Sequence, residues 1–347
     1  MNTHTKISVD VQAQKALALA YMNAFDRAQP DALIDILSRF TVSDYAWRGM
    51  HPFYEKSSAA AVAEDFWIPL RQSFMQMQRR QDIFFGGCSD CAEAPEIWTC
   101  SMGHFIGLFD DDWLAIPATG KLTFIPYAEF HRIEGEKIVE TALFIDILSV
   151  MAQAGQHPLP PQTGAFIIQP GPLHHDGLLF DAQPEAQGQK TLDLCEAMAL
   201  RLDSLNKQDI DNCEPEFLAK DWAKDMLWYG PTGIGATYTI ERYQRQHQQP
   251  FRRNLSGKIF NGHIARFAEG NYCGWFGWPN LYNTNKGGFL GMPSGDTVAE
   301  MRVVDIYRRD GDKLAENWVF IDILHYLSVQ GLDVLKRMAD LNRKDYG

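Results

Sequence analysis

The sequence predicts an α+β protein in which one domain is written twice. Three observations carry this. The pentapeptide Phe-Ile-Asp-Ile-Leu occurs at 144–148 and again at 320–324, 320 − 144 = 176 residues apart in a chain of 347. Matches at the same offset surround it: Gly135 with Gly311, Lys137 with Lys313, Glu140 with Glu316, Gly155 with Gly331 and Pro117 with Pro293. Each copy also reads as helices followed by hairpin-linked strands, which is an α+β order.

Upstream the offset drifts, as insertions require, but the order of matches holds. Ala46-Trp47-Arg48-Gly49 aligns with Leu227-Trp228-Tyr229-Gly230, and Gln14-Lys15 with Gln189-Lys190. Apolar residues at helical spacing predict helices over 11–25 and 191–205, and Pro30 opens another over 31–39. Further helices are expected over 59–74 and 240–255. Strands are expected over 98–108, 122–133 and 138–148, then over 298–309 and 314–324. Glu134-Gly135-Glu136 and Asp310-Gly311-Asp312 supply the hairpin turns. A Pro- and Gly-rich stretch breaks the composition between the copies. The expected division is 1–156 for the first domain, 157–188 for the linker and 189–347 for the second.

Composition narrows the function. Apolar residues make up 46% and charged residues 22%, an ordinary globular balance. The formal net charge of −12 disfavours a nucleic acid backbone or an anionic membrane as partner. No apolar run reaches the ~20 residues of a membrane helix, and residues 1–14 lack the apolar core of a signal peptide. The expected location is cytoplasmic. Six cysteines are scattered, and Cys88-Ser-Asp-Cys91 has no second pair to complete four metal ligands. His174-His175-Asp176 is too small a cluster to argue for a metal. No metal and no cofactor are expected. No Gly-rich phosphate loop or nucleophile elbow occurs.

The last strand of each copy draws attention. Side chains alternate along a strand, so Glu316, Trp318, Phe320 and Asp322 share one face, as do Glu140, Ala142, Phe144 and Asp146. A carboxylate beside large apolar groups is costly without partners. Two readings stay open: each aspartate caps the helix that follows, or it lines a pocket with a raised pKa and serves as an acid/base.

The combination of residues resembles the SnoaL-like polyketide cyclases of the nuclear-transport-factor-2-like, ketosteroid-isomerase-like superfamily. Copy two offers Gly291-Met-Pro293-Ser-Gly295, Arg309-Asp-Gly-Asp-Lys313, Glu316, Trp318, Asp322 and Gln330-Gly331. Copy one offers Pro117-Ala-Thr119-Gly120, Arg132-Ile-Glu-Gly-Glu-Lys137, Glu140, Asp146 and Gly155. The resemblance implies two tandem cone-shaped α+β barrels, each a curved antiparallel sheet wrapped by helices around a pocket. It implies that Asp146 and Asp322 are the acid/base groups of a metal-free, cofactor-independent reaction. A carboxylic acid in an apolar cone suits proton exchange with a carbon acid or enolate.

Departures from the family pattern sit beside the match. Phe105 and Tyr272 stand where a histidine is common, His104 is one position off, and Ala142 replaces the tryptophan. Copy two carries an Asn/Gly-rich stretch over 278–289, read as a loop at the pocket mouth. The expected substrate-binding residues are Trp318, Glu316, Trp228, Tyr272, Trp47 and Glu140; Arg48 and His51 are further candidates. The basic run 242–253 reads as a solvated face. The expected partner is a small carbonyl-bearing metabolite undergoing aldol cyclisation, isomerisation or lyase chemistry. Binding without turnover is the alternative, and a scaffold role a third. The two copies are expected to meet as an internal pseudo-dimer, with a homodimer of whole chains left open.

Overall fold

The computed structural model describes residues 11–207 and 213–342. Helix Gln12–Arg27 turns Ala18, Tyr21, Met22 and Phe25 inward. Pro30 opens a short turn, and helix Leu33–Phe40 follows. The chain then forms β1 (Thr41–Gly49) and β2 (Tyr54–Lys56). The helical run 59–73 starts where Ser58 Oγ accepts from Ala61 N at 3.2 Å, and it bulges into a π turn at Ala63–Trp67. Four strands complete the copy: β3 (Phe74–Ser89), β4 (Glu96–Phe109), β5 (Leu122–Glu134) and β6 (Lys137–Ile145). The sheet order is β2-β1-β6-β5-β4-β3.

The second copy repeats this plan after helix Glu185–Lys207. It contains β7 (Trp222–Tyr229), β8 (Thr237–Tyr238), β9 (Leu255–Phe260), β10 (Ala265–Glu269), β11 (Tyr272–Asn285), β12 (Ala299–Asp310) and β13 (Lys313–Ile321). Its order is β10-β11-β12-β13-β7-β8, with β9 on β11. Gly135 and Gly311 take the left-handed conformation (φ 56° and 57°) that both hairpin turns need. The sheets are mixed rather than wholly antiparallel. The β1–β6 and β7–β13 pairs run parallel, because β1 and β7 enter from the helices in the same direction as the last strand. The stretch 278–289, expected as a loop, is largely the end of β11; only its last residues leave the sheet.

One face of each sheet curls around its own helices and forms the inside of a cone. The opposite faces of the two sheets press together. Phe130 meets Phe276 at 5.0 Å, Trp98 meets Phe276 at 5.4 Å and Phe144 meets Trp278 at 5.4 Å between ring centroids. The approach is close enough that a Cβ on Gly87 would lie 3.0 Å from the Phe267 Cβ. At one edge the buried Lys15 Nζ donates to Glu269 Oε1 at 2.7 Å, and Gly86 N donates to Glu269 Oε2 at 2.8 Å.

The connecting segment 154–184 is strapped across this junction. Gln169 donates to Tyr229 O and Val319 O, and its own carbonyl takes His104 Nε2 at 2.7 Å. Asp176, from the short His-His-Asp cluster, is engaged by Arg308, Tyr272 and Asn271. Those donors outweigh burial and hold its carboxyl down at about 2. Among the described residues, no helix is long and apolar enough to cross a membrane.

Candidate functional site

The face carrying Glu316, Trp318 and Phe320 turns toward the other copy's sheet, not into the cone. Trp318 stacks on Tyr229 at 5.3 Å, and its Nε1 donates to Pro170 O at 2.8 Å. Glu316 accepts from Leu173 N at 3.1 Å and from Tyr229 OH at 3.3 Å, so it anchors the connecting segment. Tyr272 OH donates to Asp176 at 2.6 Å. Glu140 pairs with Arg48 at 2.7 Å and Arg132 at 3.5 Å. The physical reason is parity: a tandem chain buries its even-numbered face in β13 against its own second sheet, leaving Asn317, Val319 and Ile321 for the cone.

Asp146 and Asp322 sit just beyond that face, at the ends of their strands. Asp146 Oδ1 accepts from Ser149 N at 2.9 Å, and Oδ2 from Thr232 N of the other copy at 2.9 Å. Asp322 Oδ1 accepts from His325 N at 3.2 Å, and Oδ2 from His51 N of the other copy at 2.9 Å. Each therefore caps a helix and holds a loop across the junction. Burial raises both carboxyl pKa values against these donors. The His51 ring bonds Tyr54 OH at 2.7 Å.

The cone interiors differ sharply. In the first, Trp47 is buried against Phe66, and Glu129 is 1% exposed. Arg79 Nη1 donates to Glu129 at 2.6 Å, its Nε donates to Asp26 at 3.1 Å, and its guanidinium lies 4.9 Å from the Phe105 ring centre. Burial alone would raise the Glu129 pKa; Arg79 and His131 outweigh it and hold the carboxyl down at about 2. This cone is filled by an ion pair.

Position 305 is the counterpart of 129, since 305 − 129 = 176. Among the described residues, no cation pairs with Asp305. Its oxygens accept from Trp275 Nε1 at 3.2 Å and Asn317 Nδ2 at 3.3 Å. Burial raises its pKa, opposed by these donors and Tyr307. Asp305 is enclosed by protein yet keeps part of its surface accessible, unlike Glu129. Aromatic rings surround it: Trp275 lies 4.8 Å from Tyr307, which is 5.8 Å from Trp222, which is 6.1 Å from Tyr243.

Trp228, the one expected ligand residue inside this cone, lies 5.8 Å from Tyr243 and stacks on His247 at 3.9 Å. His247 in turn lines a cleft of about 110 Å³ at the mouth, closed by Pro160 and Pro161 of the connecting segment and by Phe289. Burial, then Arg252, lowers the His247 pKa to about 3, so the ring is neutral. Asp305 and His247 were missed in the sequence. A signal for the first existed: Tyr127-Ala-Glu129-Phe-His131 and Val303-Val-Asp305-Ile-Tyr307 each carry one carboxylate in an apolar run at the shared offset.

No protein-family model and no curated protein matches the chain. Solved structures do. An NTF2-like protein from Burkholderia xenovorans is 14% identical with TM-score 0.32, covering 41% of this chain and 96% of its own. A protein named as a SnoaL-like polyketide cyclase from Jannaschia sp. CCS1 is 16% identical with TM-score 0.33, covering 46% and 99%. An NTF2-like protein from Burkholderia thailandensis is 21% identical with TM-score 0.31, covering 43% and 100%. Each of these covers less than half of this chain; the two tandem copies are seen in this chain's own two sheets. Substrate and reaction are matters of its own residues.

Proposed function

We propose that the second cone binds a small carbonyl-bearing metabolite and exchanges a proton with it through Asp305, without metal or cofactor. The observation that carries this is the contrast at one structural position. Glu129 is locked as a carboxylate by Arg79, while Asp305 has only neutral donors, a raised pKa and accessible surface. A carboxyl group whose pKa is raised by burial among aromatic rings gives and takes a proton more readily than a free carboxylate does. The first cone then serves as the structural half of the chain.

The test is deuterium uptake at the α-carbons of cyclohexanone in D₂O, followed by proton NMR. Wild type should accelerate exchange, and Asp305→Asn should lose at least ~100-fold of it, the lower end for a positioned acid/base. The resemblance to the cyclases puts the acid/base at Asp322 instead, so Asp322→Asn is the second arm. Loss confined to Asp322→Asn would move the chemistry there. The alternative, binding without turnover, is favoured by the cleft's lining, which does not include Asp305. It predicts ligand binding with no acceleration in any variant.

A further inference from the structure

We propose that the outer face of the first sheet carries a contact for a second copy of this chain, built on the row Met75, Leu108 and Leu122. The contact lies outside both cones, so it stands or falls apart from the acid/base reading.

Strand pairing makes the row. Met75 on β3 pairs with Leu108 on β4, and Leu108 pairs with Leu122 at the start of β5. Side chains alternate along a strand. Phe74 and Phe109 turn into the core of the first cone, and Thr123 is buried beside them. Their neighbours Met75, Leu108 and Leu122 therefore stand on the outer face, 46%, 39% and 57% exposed. In the adjoining row Ile106 pairs with Phe124, and both are half-buried. Single exposed leucines are ordinary, but a row across three strands is a continuous apolar surface.

The same place in the second copy is more polar. Ser256 follows Leu255 as Met75 follows Phe74, and it pairs with Thr284 on β11. Their hydroxyls bond each other at 2.8 Å. Glu300 stands where Phe124 does, since 300 − 124 = 176. Val298 matches Leu122 and is exposed, but its surroundings are these polar groups. The exposed Ile259 shares its row with Tyr282 and Glu300. Water alone would favour polar side chains in both copies.

Continuity points to what covers the row. Trp98, Cys100 and Met102 lie on the same face of β4 as Leu108, and they pack in the core between the two sheets. This face thus already pairs with its own duplicate. His104, bonded to Gln169 of the connecting segment, closes that contact. Ile106 and Leu108 carry the face past it. A second copy brings the same row, and none of Met75, Ile106, Leu108, Leu122 and Phe124 ionises, so pairing them buries no charge. A two-fold axis along β4 sets Leu108 on the partner's Leu108 and Met75 on the partner's Leu122. The patch is small beside the ~800 Å² per partner of a standard interface, and the net charge of −12 adds repulsion that salt screens. The dimer is therefore weak and strengthened by salt.

The experiment is sedimentation equilibrium of the full chain over rising protein concentration, at low and at high sodium chloride. Wild type should move toward the dimer mass as it approaches about 1 mM, and sooner at high salt. Leu108→Asp sets two like charges across the axis and should weaken association at least ~10-fold. Val298→Asp, at the matching position of the second copy, should leave it unchanged. Both positions are exposed, so neither change opens a core. A wild type that stays monomeric up to about 1 mM at high salt overturns the proposal and leaves the row to a different protein. A dimer untouched by Leu108→Asp, or weakened as much by Val298→Asp, overturns it as well.

Discussion

Arg79 shows how one side chain decides what a cone can do. Its guanidinium is 3% exposed and sits between Asp26 and Glu129, under the rings of Phe105 and Tyr127. Removing one partner of a buried pair leaves an uncompensated charge, at about 3–5 kcal/mol. Arg79→Met is therefore expected to lower the urea unfolding free energy by that order, and a loss under 1 kcal/mol would show the pair to be dispensable. The pH dependence has a definite sign. Glu129 moves from 4.5 when free to about 2 when folded, so its contribution is present above pH ~4.5 and is lost as pH falls through 2. Glu129→Gln should flatten the acid limb of the stability curve between those values. The sequence shows the carboxylate at 129 but not its partner, since Arg79 lies on a different strand 50 residues away. Asp305 was obscured in the same way: its meaning depends on a cation that is absent from its surroundings, and only packing reveals that.

At the scale of elements, the capping pair is the main lesson. Asp146 and Asp322 were open to two readings from the sequence, and strand parity alone could not separate them. Each accepts one helix N–H and one loop N–H from the opposite copy. A cap contributes about 0.5–2 kcal/mol, and a hydrogen bond to a charged group about 1.5–3. Asp146→Ala and Asp322→Ala are each expected to lower stability by roughly 2–5 kcal/mol on these terms, read from the midpoint of urea unfolding. Losses below 1 kcal/mol would mean that neither bond matters. Helices and hairpins were legible because their signals are local: apolar periodicity, Pro30, Gly135 and Gly311. The end of β11 was not. Its Asn- and Gly-rich composition reads as loop, and the irregularity that keeps it in the sheet lies at Gly277–Leu281, where a Cβ on Gly277 would meet Asn280 at 2.0 Å.

For the whole molecule, the duplication and the meeting of the two copies were both legible in the sequence, and the residues that this meeting buries were not. Two sheets that each expose an apolar face have to cover it, and here each covers the other. That turns the face predicted to hold ligand into core, and leaves each copy its own cone interior. It also implies that the copies unfold together. The ring contacts across the junction, the Lys15–Glu269 pair and the strapped segment 154–184 all break if either sheet opens. Urea unfolding followed separately by tryptophan fluorescence and far-UV circular dichroism should give one coincident transition. Lys15→Met should move it to lower urea by about 3–5 kcal/mol while keeping it single, because Glu269 is then buried without its cation. Two resolved transitions in wild type would mean that each cone stands alone, and the junction would then be a contact between independent domains rather than part of one core.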